Sequence, residues 1–476
     1  MTPPQMPPAM PPTMTALPEF APADAASLPL HVIAPDDLPD WLAGPGQAWA
    51  GWLDATGFKA ALGDLRLLPG ASGLAGAVIG SGAAPARARG RFGLAKAVAG
   101  LPPGDWHLSG TLTDAARTEA VLGWLLASYH FDLYRPGKER APLPRLKVPD
   151  GMDGKTLLAM AAGEYLTRDL INTPANDMGP DDLQAAFFAL AKEYGATATA
   201  IVGDDLLAQN FPMIHAVGRA SPRAPRLLEM RWGTTGPQLT LVGKGVCFDT
   251  GGLDLKPSSG MLLMKKDMGG AATVMGLALM VMRLGLPLRL RVLVPAVENS
   301  VSGTAMRPRD ILTSRRGLTV EINNTDAEGR LILADALTYA SEEEGATIIS
   351  MATLTGSARV AVGPDLAPYF TDDPAMADAI ATGAASGFDP VWRLPFWDAY
   401  EPMIEPGIAD LDNAPSGGFA GAITAALFLR RFVNTPRYAH FDIYGHTPAD
   451  LPARPKGGVG QGARALFHAL PGMLGL

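Results

Sequence analysis

The sequence predicts an α/β protein, in which a smaller α/β N-terminal domain precedes a C-terminal domain built on a mixed, largely parallel sheet flanked by helices. Two observations support this prediction. The chain has 476 residues, more than one typical domain of about 100–200 residues. Beyond residue 145, strand-like and helix-like segments alternate to the end of the chain, which is typical of parallel sheets covered by helices on both faces.

The composition along the chain predicts three ranges. Residues 1–28 are rich in proline, methionine and alanine, and we expect them to form a disordered tail. Residues 29–145 alternate short apolar runs with glycine and proline breaks, which indicates the small α/β domain. The segment YRPGKERAPLPRLKVPDG, with four prolines, is typical of a linker. Residues 146–476 then form the larger domain.

Each element of the larger domain has its own pattern. Apolar residues at helical spacing predict helices in GKTLLAMAAGEYLTRDLIN, GPDDLQAAFFALAKEYG, GGAATVMGLALMVMRLG, GRLILADALTYASEEE and GAITAALFLRRFV. Apolar or β-branched runs predict strands in PRLLEMRW, QLTLVGKGV, LRLRVLVPAV, ATIISMATL and RYAHFDIYG. In sheets of this kind, functional sites lie in the loops beyond the carboxyl ends of the strands.

Composition also limits the kinds of molecule that the protein is expected to bind and the compartment in which it is expected. The net charge of −8 gives no general attraction for nucleic acid or for anionic membranes. The single cysteine, Cys247, cannot form an intrachain disulfide, so the sequence indicates no oxidising compartment. No uncharged run approaches the ~18 apolar residues of a membrane span. We therefore expect a cytoplasmic protein with neither a membrane nor a nucleic acid as partner.

Two segments place acidic residues beside glycines. The first, LVGKGVCFDTGGLDLKPSSGMLLMKKDMGGAA (241–272), runs from a strand through a glycine-rich loop to a helix that begins near residue 269. The second, NNTDAEGRLILADAL (323–337), runs from a strand through a turn that holds Asp326 and Glu328 to a helix that begins near residue 330. If the backbone before that helix is extended, its alternate residues face one side. The charged residues of interest are Lys244, Asp249, Lys256, Asp267, Asp326, Glu328 and Arg330.

Four carboxylates gathered at strand ends repel one another unless cations compensate them. Two divalent ions would do so, because carboxylate oxygens suit hard or borderline metals and can bridge two ions about 3.5–4 Å apart. None of these positions is a histidine, so a histidine-rich zinc site is not expected. Two divalent ions would balance the charge of the four carboxylates. The positive charges of Lys256 and Arg330 would then be a surplus. That surplus could hold an anion and stabilise a developing oxyanion.

Each residue also has an ordinary explanation. Acidic residues in glycine-rich loops are often helix caps, turn residues or solvated charges. Lys244 could simply pair with Asp249, and Arg330 could be a surface arginine. The density of acids beside glycines in D-T-G-G, K-D-M-G-G and T-D-A-E-G-R favours a site over these explanations.

The segment NTDAEGRL (324–331) resembles the signature of the leucine aminopeptidase family, also called cytosol aminopeptidases, which are two-metal metallopeptidases. The upstream block GKGVCFDTGG…K…MLLMKKDMGGAA resembles the family's other metal-binding block, in register and without a gap. The flanking segments RDLINTPAND, ENSVSGTAMRPRDIL, ATLTG and AHFDIYG agree as well. The resemblance covers roughly residues 155–470.

The resemblance implies a role for each site residue. It implies one tightly held metal bound by Lys244, Asp249, Asp267 and Glu328, and a more exchangeable one bound by Asp249, Asp326 and Glu328. It implies two catalytic residues, with Lys256 polarising the scissile carbonyl and Arg330 holding a bicarbonate that shuttles a proton. It implies substrate binding by backbone groups of Thr353, Leu354 and Gly356, and by Met264 in the side-chain pocket, where a core methionine is the alternative.

The resemblance further implies an aminopeptidase that releases N-terminal, leucine-like residues from peptides through a hydroxide bridging two ions, Mn²⁺ or Zn²⁺. It implies a cytoplasmic homohexamer. Tyr444 is bulky where the family usually has a small residue, and Cys247 stands where the family more often has threonine. The alternatives are a narrow-specificity peptidase of the same fold, a two-metal phosphoesterase, whose sites usually recruit histidines, and a DNA-binding regulator, which needs basic surface.

Overall fold

The computed structural model describes residues 15–135 and 140–476. Their packing divides the chain into two compact units, residues 15–165 with 449–456, and residues 166–448 with 457–476. The division falls inside helix α6 (Gly154–Asn172), later in the chain than the predicted boundary at 145/146, because this helix contributes to both units. Residues 1–14 of the predicted tail and 136–139 of the predicted linker lie outside the described residues. Residues 15–28 of that tail are packed against the smaller unit rather than disordered, because Ala21 is buried and its N–H donates to the Leu146 carbonyl (2.9 Å).

The smaller unit has a sheet with strand order β2-β3-β1-β4-β5, in which β1 is parallel to β3 and β4. Its strands are β1 (Leu28–Ile33), β2 (Leu65–Gly70), β3 (Gly73–Gly80), β4 (Asp105–Ser109) and β5 (Arg145–Leu146). Its other helices are α1 (Leu38–Ala43), α2 (Ala50–Ala55), α3 (Ala84–Arg87), α4 (Lys96–Gly100) and α5 (Asp114–Ala127), with short 3-10 turns at Gln47–Trp49 and Gly93–Ala95. Alternation of strands and helices makes this unit α/β, as predicted.

The larger unit is built on a mixed sheet with strand order β15-β14-β17-β13-β8-β10-β7-β6, and β9 also pairs with β10. Strands β17, β13, β8 and β10 form its parallel centre, while β7 and β6 on one side and β14 on the other pair antiparallel. The fold-class prediction is confirmed. The strands of this sheet are β6 (Thr197–Val202), β7 (Arg226–Trp232), β8 (Gln238–Gly243), β9 (Gly245–Asp249), β10 (Arg289–Asn299), β13 (Thr347–Ala352), β14 (Ala367–Phe370), β15 (Val391–Arg393) and β17 (Tyr438–Asp442).

The remaining strands form two small sheets, and helices pack around the large sheet. The small sheets contain β11 (Ile311–Thr313), β12 (Thr319–Glu321) and β16 (Leu411–Asp412), and β18 (His446–Thr447) with β19 (Gly457–Gly458). The helices are α7 (Pro180–Glu193), α8 (Asp205–Ala208), α9 (Pro212–Gly218), α10 (Ser258–Met261), α11 (Gly269–Leu284), α12 (Gly329–Ala340), α13 (Gly356–Val362), α14 (Pro374–Ser386), α15 (Gly421–Arg430) and α16 (Ala463–Leu474), with 3-10 turns at Met264–Met268 and Asp398–Ile404.

Helix α11 lies close against the sheet because its first residues are small. A Cβ atom on Gly270 would lie 2.1 Å from the carbonyl oxygen of Met351 in β13, so only glycine permits this approach. The segment Met264–Leu284 is long and apolar enough to cross a membrane, but 89% of its apolar window is buried inside the protein. A core helix of a globular unit has the same composition.

The register of the parallel strands brings three loops to one edge of the sheet. Met351 of β13 lies opposite Gly243 at the end of β8, and Ala352 lies opposite Asp442 at the end of β17. Lys244 and Thr353 therefore leave the sheet side by side. This edge is the carboxyl end of the parallel strands, where sites are expected in α/β sheets.

Asp335 fixes helix α12, which follows the second acidic segment, and replacing it should destabilise the fold. One carboxylate oxygen of Asp335 accepts from the Met213 N–H (2.8 Å) and the other from the Arg315 N–H (2.8 Å). Asp335→Asn replaces one of these acceptors with a donor, which leaves a buried N–H unsatisfied. We expect the free energy of unfolding to fall by about 1–3 kcal/mol, measured by urea denaturation. The exposed Asp378→Asn is the control, and an equal effect of both changes would contradict the prediction.

Candidate active site

A cavity of about 630 Å³ opens at the carboxyl edge of the large sheet, within the larger unit. Ten of the residues predicted from sequence line it: Lys244, Asp249, Lys256, Met264, Asp267, Asp326, Arg330, Thr353, Leu354 and Gly356. The remaining one, Glu328, contacts Lys244, with Glu328 Oε1 2.9 Å from Lys244 Nζ. The structure therefore brings the two acidic segments together around one space, although they are separated along the chain.

Three carboxylates form the centre of this space. One oxygen atom from each of Asp249, Asp326 and Glu328 lies within 4.8 Å of the others. Burial raises the pKa of Glu328 to about 8 and that of Asp326 to about 6, and the nearby charge of Asp249 acts in the same direction. In the part of the chain that the structure describes, Glu328 Oε2 has no hydrogen-bond partner, and Oε1 lies against the Lys244 ammonium.

Lys244 occupies the single residue between β8 and β9, and its ammonium lies deep in the cluster. Lys244 Nζ donates to the Thr353 carbonyl (3.0 Å) and lies 2.8 Å from Asp267 Oδ2. Burial alone would lower the pKa of Lys244, but the carboxylates of Asp267, Glu328 and Asp249 raise it above its usual value. Without a metal, the lysine is therefore the counter-ion of the acids around it.

Lys256 is the second cation of the cluster and is partly accessible from the cavity. Its Nζ lies 2.8 Å from Asp249 Oδ2 and forms a second ion pair with Asp326. Burial would lower the pKa of Lys256, but the charges and hydrogen bonds of Asp249 and Asp326 raise it above its usual value. Lys256 thus remains a cation beside the carboxylates.

The segment before α12 contains the predicted turn and is not extended, so alternation along a strand is not what brings its charged residues together. Thr325 and Asp326 form a turn, in which the Asp326 N–H donates to Asn324 Oδ1 (2.8 Å). Glu328 already has helical backbone angles (φ −73°, ψ −33°) directly before the helix. The asparagine side chain stabilises the turn in place of a strand pairing. The turn and the first helical turn nevertheless bring Asp326, Glu328 and Arg330 to the same place.

The sequence did not predict that the side chains of Asn299 and Thr353 orient two of the acidic residues. Asp249 Oδ1 accepts from Asn299 Nδ2 (2.8 Å) and from the Gly251 N–H (2.9 Å). The hydroxyl of Thr353 donates to Asp267 Oδ1 (2.8 Å). The signal for Asn299 was available, because a buried amide at the end of the apolar strand β10 needs a specific polar partner.

Arg330 lies in the first turn of α12, where it is only 8% exposed. Burial lowers the pKa of Arg330 to about 10, against the opposing effects of Asp442 and Glu328. Its Nε has no hydrogen-bond partner among the residues the structure describes. A buried guanidinium with an unused donor, lining a cavity, is suited to bind an anion.

The side chains present fit divalent metal ions. Asp249, Asp267, Asp326 and Glu328 give four negative charges, and Lys244 and Lys256 return only two. Both oxygens of Glu328 are buried, and Lys244 meets only Oε1; burying Oε2 without a partner is costly unless another cation meets it. Hard oxygen ligands in this number and proximity suit Mg²⁺, Mn²⁺ or Zn²⁺.

Gly329 gives Lys244 its position, and we expect Gly329→Ala to weaken metal binding. A Cβ atom on Gly329 would lie 2.7 Å from Lys244 Nζ and 2.6 Å from its Cε, so the buried lysine would have to move. Displacement of a group at a metal site typically lowers metal affinity about 10–100-fold, which calorimetric titration with Mn²⁺ would measure. Gly303→Ala, where an added Cβ contacts nothing within 4 Å, is the control. Equal affinity of the two variants would refute the expected displacement.

Comparison with known proteins agrees with this geometry. Residues 165–467 match the model of the cytosol aminopeptidase family, catalytic domain, and residues 28–149 match the M17 aminopeptidase, N-terminal domain. A probable cytosol aminopeptidase of Syntrophotalea carbinolica is 40% identical over 399 residues, 80% of this chain and 78% of the relative. One of Nitratidesulfovibrio vulgaris is 40% identical over 385 residues, 76% of each chain.

Solved structures are similar over nearly the whole chain. The cytosol aminopeptidase of Coxiella burnetii is 42% identical with a TM-score of 0.88, covering 94% of this chain and 98% of that one. A bottromycin maturation enzyme in complex with Mn is 31% identical with a TM-score of 0.83, covering 94% and 99%. The aminopeptidase prediction is confirmed. The chain belongs to the cytosol aminopeptidase family and is a metal-dependent aminopeptidase.

Proposed function

We propose that this aminopeptidase binds two divalent ions, Mn²⁺ or Zn²⁺, and removes the N-terminal residue, leucine-like and broad in range, from peptides. One ion would be held by Lys244, Asp249, Asp267 and Glu328, and the other by Asp249, Asp326 and Glu328. The observation behind this proposal is the buried carboxylate cluster, in which oxygens of three residues lie within 4.8 Å of one another. Such ions would supply a water of lowered pKa and polarise the scissile carbonyl.

Lys244 must lose a proton to act as a ligand. The surrounding carboxylates hold that proton in the metal-free site, and bound divalent cations reverse the local electrostatics, as they do for thiols. Metal binding should therefore release protons and weaken at low pH. The solved relative with Mn supports manganese as one candidate.

Lys256 and Arg330 would act on the substrate as cations. Lys256 lines the cavity beside Asp249 and Asp326, so its ammonium can donate to the oxygen of a peptide carbonyl as negative charge develops there. Arg330, with an unused Nε, can hold a small anion such as bicarbonate. That anion would accept a proton from the attacking water and pass it to the leaving amine.

The loop after β13 would align the substrate backbone. Asp442 accepts from the N–H groups of Leu354 and Thr355 (both 3.0 Å) and from the Thr355 hydroxyl (2.6 Å), which fixes the loop. Backbone groups of Thr353, Leu354 and Gly356 are then presented to the cavity in a constant position. Met264 lines the same cavity and would contact the first side chain of the peptide.

Assembly and location are part of the proposal. Large apolar side chains are exposed on the larger unit, among them Phe419 (88%) and Val360 (82%). Exposed apolar groups of this size fit a surface that other copies of the chain cover, and the proposed number of six rests on the resemblance to the family. The relatives named cytosol aminopeptidases support a cytoplasmic location.

The test uses the full chain stripped of metal by chelation. Hydrolysis of leucine p-nitroanilide and of Leu-Gly should be absent, should return when Mn²⁺ or Zn²⁺ is added, and should stay absent in Asp326→Ala. Metal-loaded wild type that cleaves neither substrate would refute broad specificity. Activity that survives chelation, or that Asp326→Ala retains, would refute the proposed metal site.

A further inference from the structure

Two basic side chains in the cavity wall lie over one aromatic ring. Lys266 Nζ is 4.8 Å, and Arg359 Cζ 5.1 Å, from the centroid of the Tyr444 ring. All three residues line the cavity that holds the carboxylate cluster. None of the three was assigned a role from the metal-binding motifs.

Lys266 is buried without an anion. It is 6% exposed, and its ammonium makes no hydrogen bond or ion pair with any residue in 15–135 or 140–476 but lies over the Tyr444 ring. Arg359, in α13, likewise contacts that ring and no acidic side chain in these ranges. The neighbouring Lys265 differs, because its ammonium donates to the Asn172 carbonyl.

The acids closest to Lys266 are already committed. Asp267 pairs with Lys244 and accepts from the Thr353 hydroxyl, and Asp442 accepts three hydrogen bonds from the loop after β13. An aromatic ring attracts a cation, but weakly compared with the hydration that a largely buried ammonium loses when no anion replaces it. Two neighbouring cations also repel each other. An anion bound in the cavity within reach of both would relieve both costs.

The position of the two cations in the active-site cavity favours an anion that is part of a substrate. Because Met264, Leu354 and Gly356 line the same space, a peptide bound at the carboxylate cluster would reach this wall. Carboxylates are the anions that peptides carry, and Lys and Arg side chains bind them through charge-assisted hydrogen bonds. The hydroxyl of Tyr444 adds a possible third donor.

We propose that Lys266, Arg359 and Tyr444 form a subsite for a substrate carboxylate in the active-site cavity; this inference rests on the proposed peptidase function. The carboxylate has two possible sources. It is either the side chain of an N-terminal glutamate or aspartate, or the free C-terminus of a dipeptide. With either source, a carboxylate would contact the Lys266 ammonium and the Arg359 guanidinium.

Two pairs of peptides distinguish the sources. The amides of Glu-Gly and Gln-Gly differ only in the side-chain charge, whereas Leu-Gly and its amide differ only at the C-terminus. We expect metal-loaded wild type to prefer the charged member of one pair by about tenfold or more in kcat/KM, which corresponds to one charge-assisted hydrogen bond. The preference should disappear in Lys266→Met, weaken in Arg359→Gln, and persist in the control Lys265→Met.

The outcomes separate this inference from the proposed function. If wild type cleaves Leu-Gly amide but prefers neither charged peptide, or if Lys266→Met keeps the preference, the subsite is refuted and the peptidase stands. Failure to cleave any of the four peptides would count against the peptidase instead. Calorimetric titration of the same peptides into Lys256→Ala, which should bind peptides without cleaving them, then measures the preference as a difference in affinity. Equal affinity for the two members of each pair would refute the subsite. Should Lys266→Met misfold, as its melting temperature would show, the exposed Arg359→Gln decides the question.

Discussion

Glu328→Gln should reduce kcat/KM by about three orders of magnitude or more, since bound metal supplies several kcal/mol of transition-state stabilisation and each 1.4 kcal/mol is tenfold in rate. Both oxygens of Glu328 are buried; within residues 15–135 and 140–476, Oε1 meets the Lys244 ammonium and Oε2 has no hydrogen-bond partner. Glu328 is a ligand in both proposed metal sites. In glutamine, one neutral amide oxygen would replace the charged carboxylate that the two ions share. Steady-state hydrolysis of leucine p-nitroanilide at saturating Mn²⁺ measures this loss.

A thermal-melting experiment distinguishes lost metal binding from lost folding. Glutamine has nearly the shape of glutamate, and because the pKa of Glu328 is raised to about 8 in the metal-free site, the amide replaces a carboxyl group that is already largely neutral near pH 7. We therefore expect the metal-free variant to melt near wild type, while the rise in melting temperature on adding Mn²⁺ becomes smaller. A variant that gains as much stability from Mn²⁺ as wild type would exclude Glu328 as a ligand.

Lys256→Met should lower kcat by about 10²–10³-fold, the usual cost of removing one preorganised donor to a developing oxyanion. The residue is a cation in the cavity wall, 2.8 Å from Asp249 Oδ2. Because this interaction grows only as charge develops on the substrate, KM should change much less than kcat. Steady-state kinetics on Leu-Gly, with metal content measured in the same samples, tests the split between kcat and KM.

Metal affinity provides the control for Lys256→Met. Removing the ammonium frees Asp249 and Asp326 from ion pairs, so metal affinity should stay equal to wild type or increase. A fall in metal affinity that accounts for the whole loss of rate would show that Lys256 positions the metal ligands and does not act on the substrate.

Much of this fold could be predicted because the patterns were long and regular. The apolar run LRLRVLVPAV became the buried strand β10, and GGAATVMGLALMVMRLG became the buried helix α11. The parallel centre followed from alternation of strands and helices. For the short segment before α12, the sequence predicted a turn but left an extended backbone open, because spacing does not reveal that the Asn324 side chain competes locally with strand geometry.

The sequence by itself determined which chemical groups the site contains. The order of Lys244, Asp249, Lys256, Asp267 and the second acidic segment indicated a carboxylate-rich metal site, because these residue types suit few other purposes at that density. Only the tertiary structure decided which groups lack partners. Lys265 and Lys266 are identical neighbours in the sequence, yet one meets a backbone carbonyl and the other is buried over an aromatic ring. Burial and pairing depend on distances between segments far apart in the chain, and these exist only once the strands have set their register.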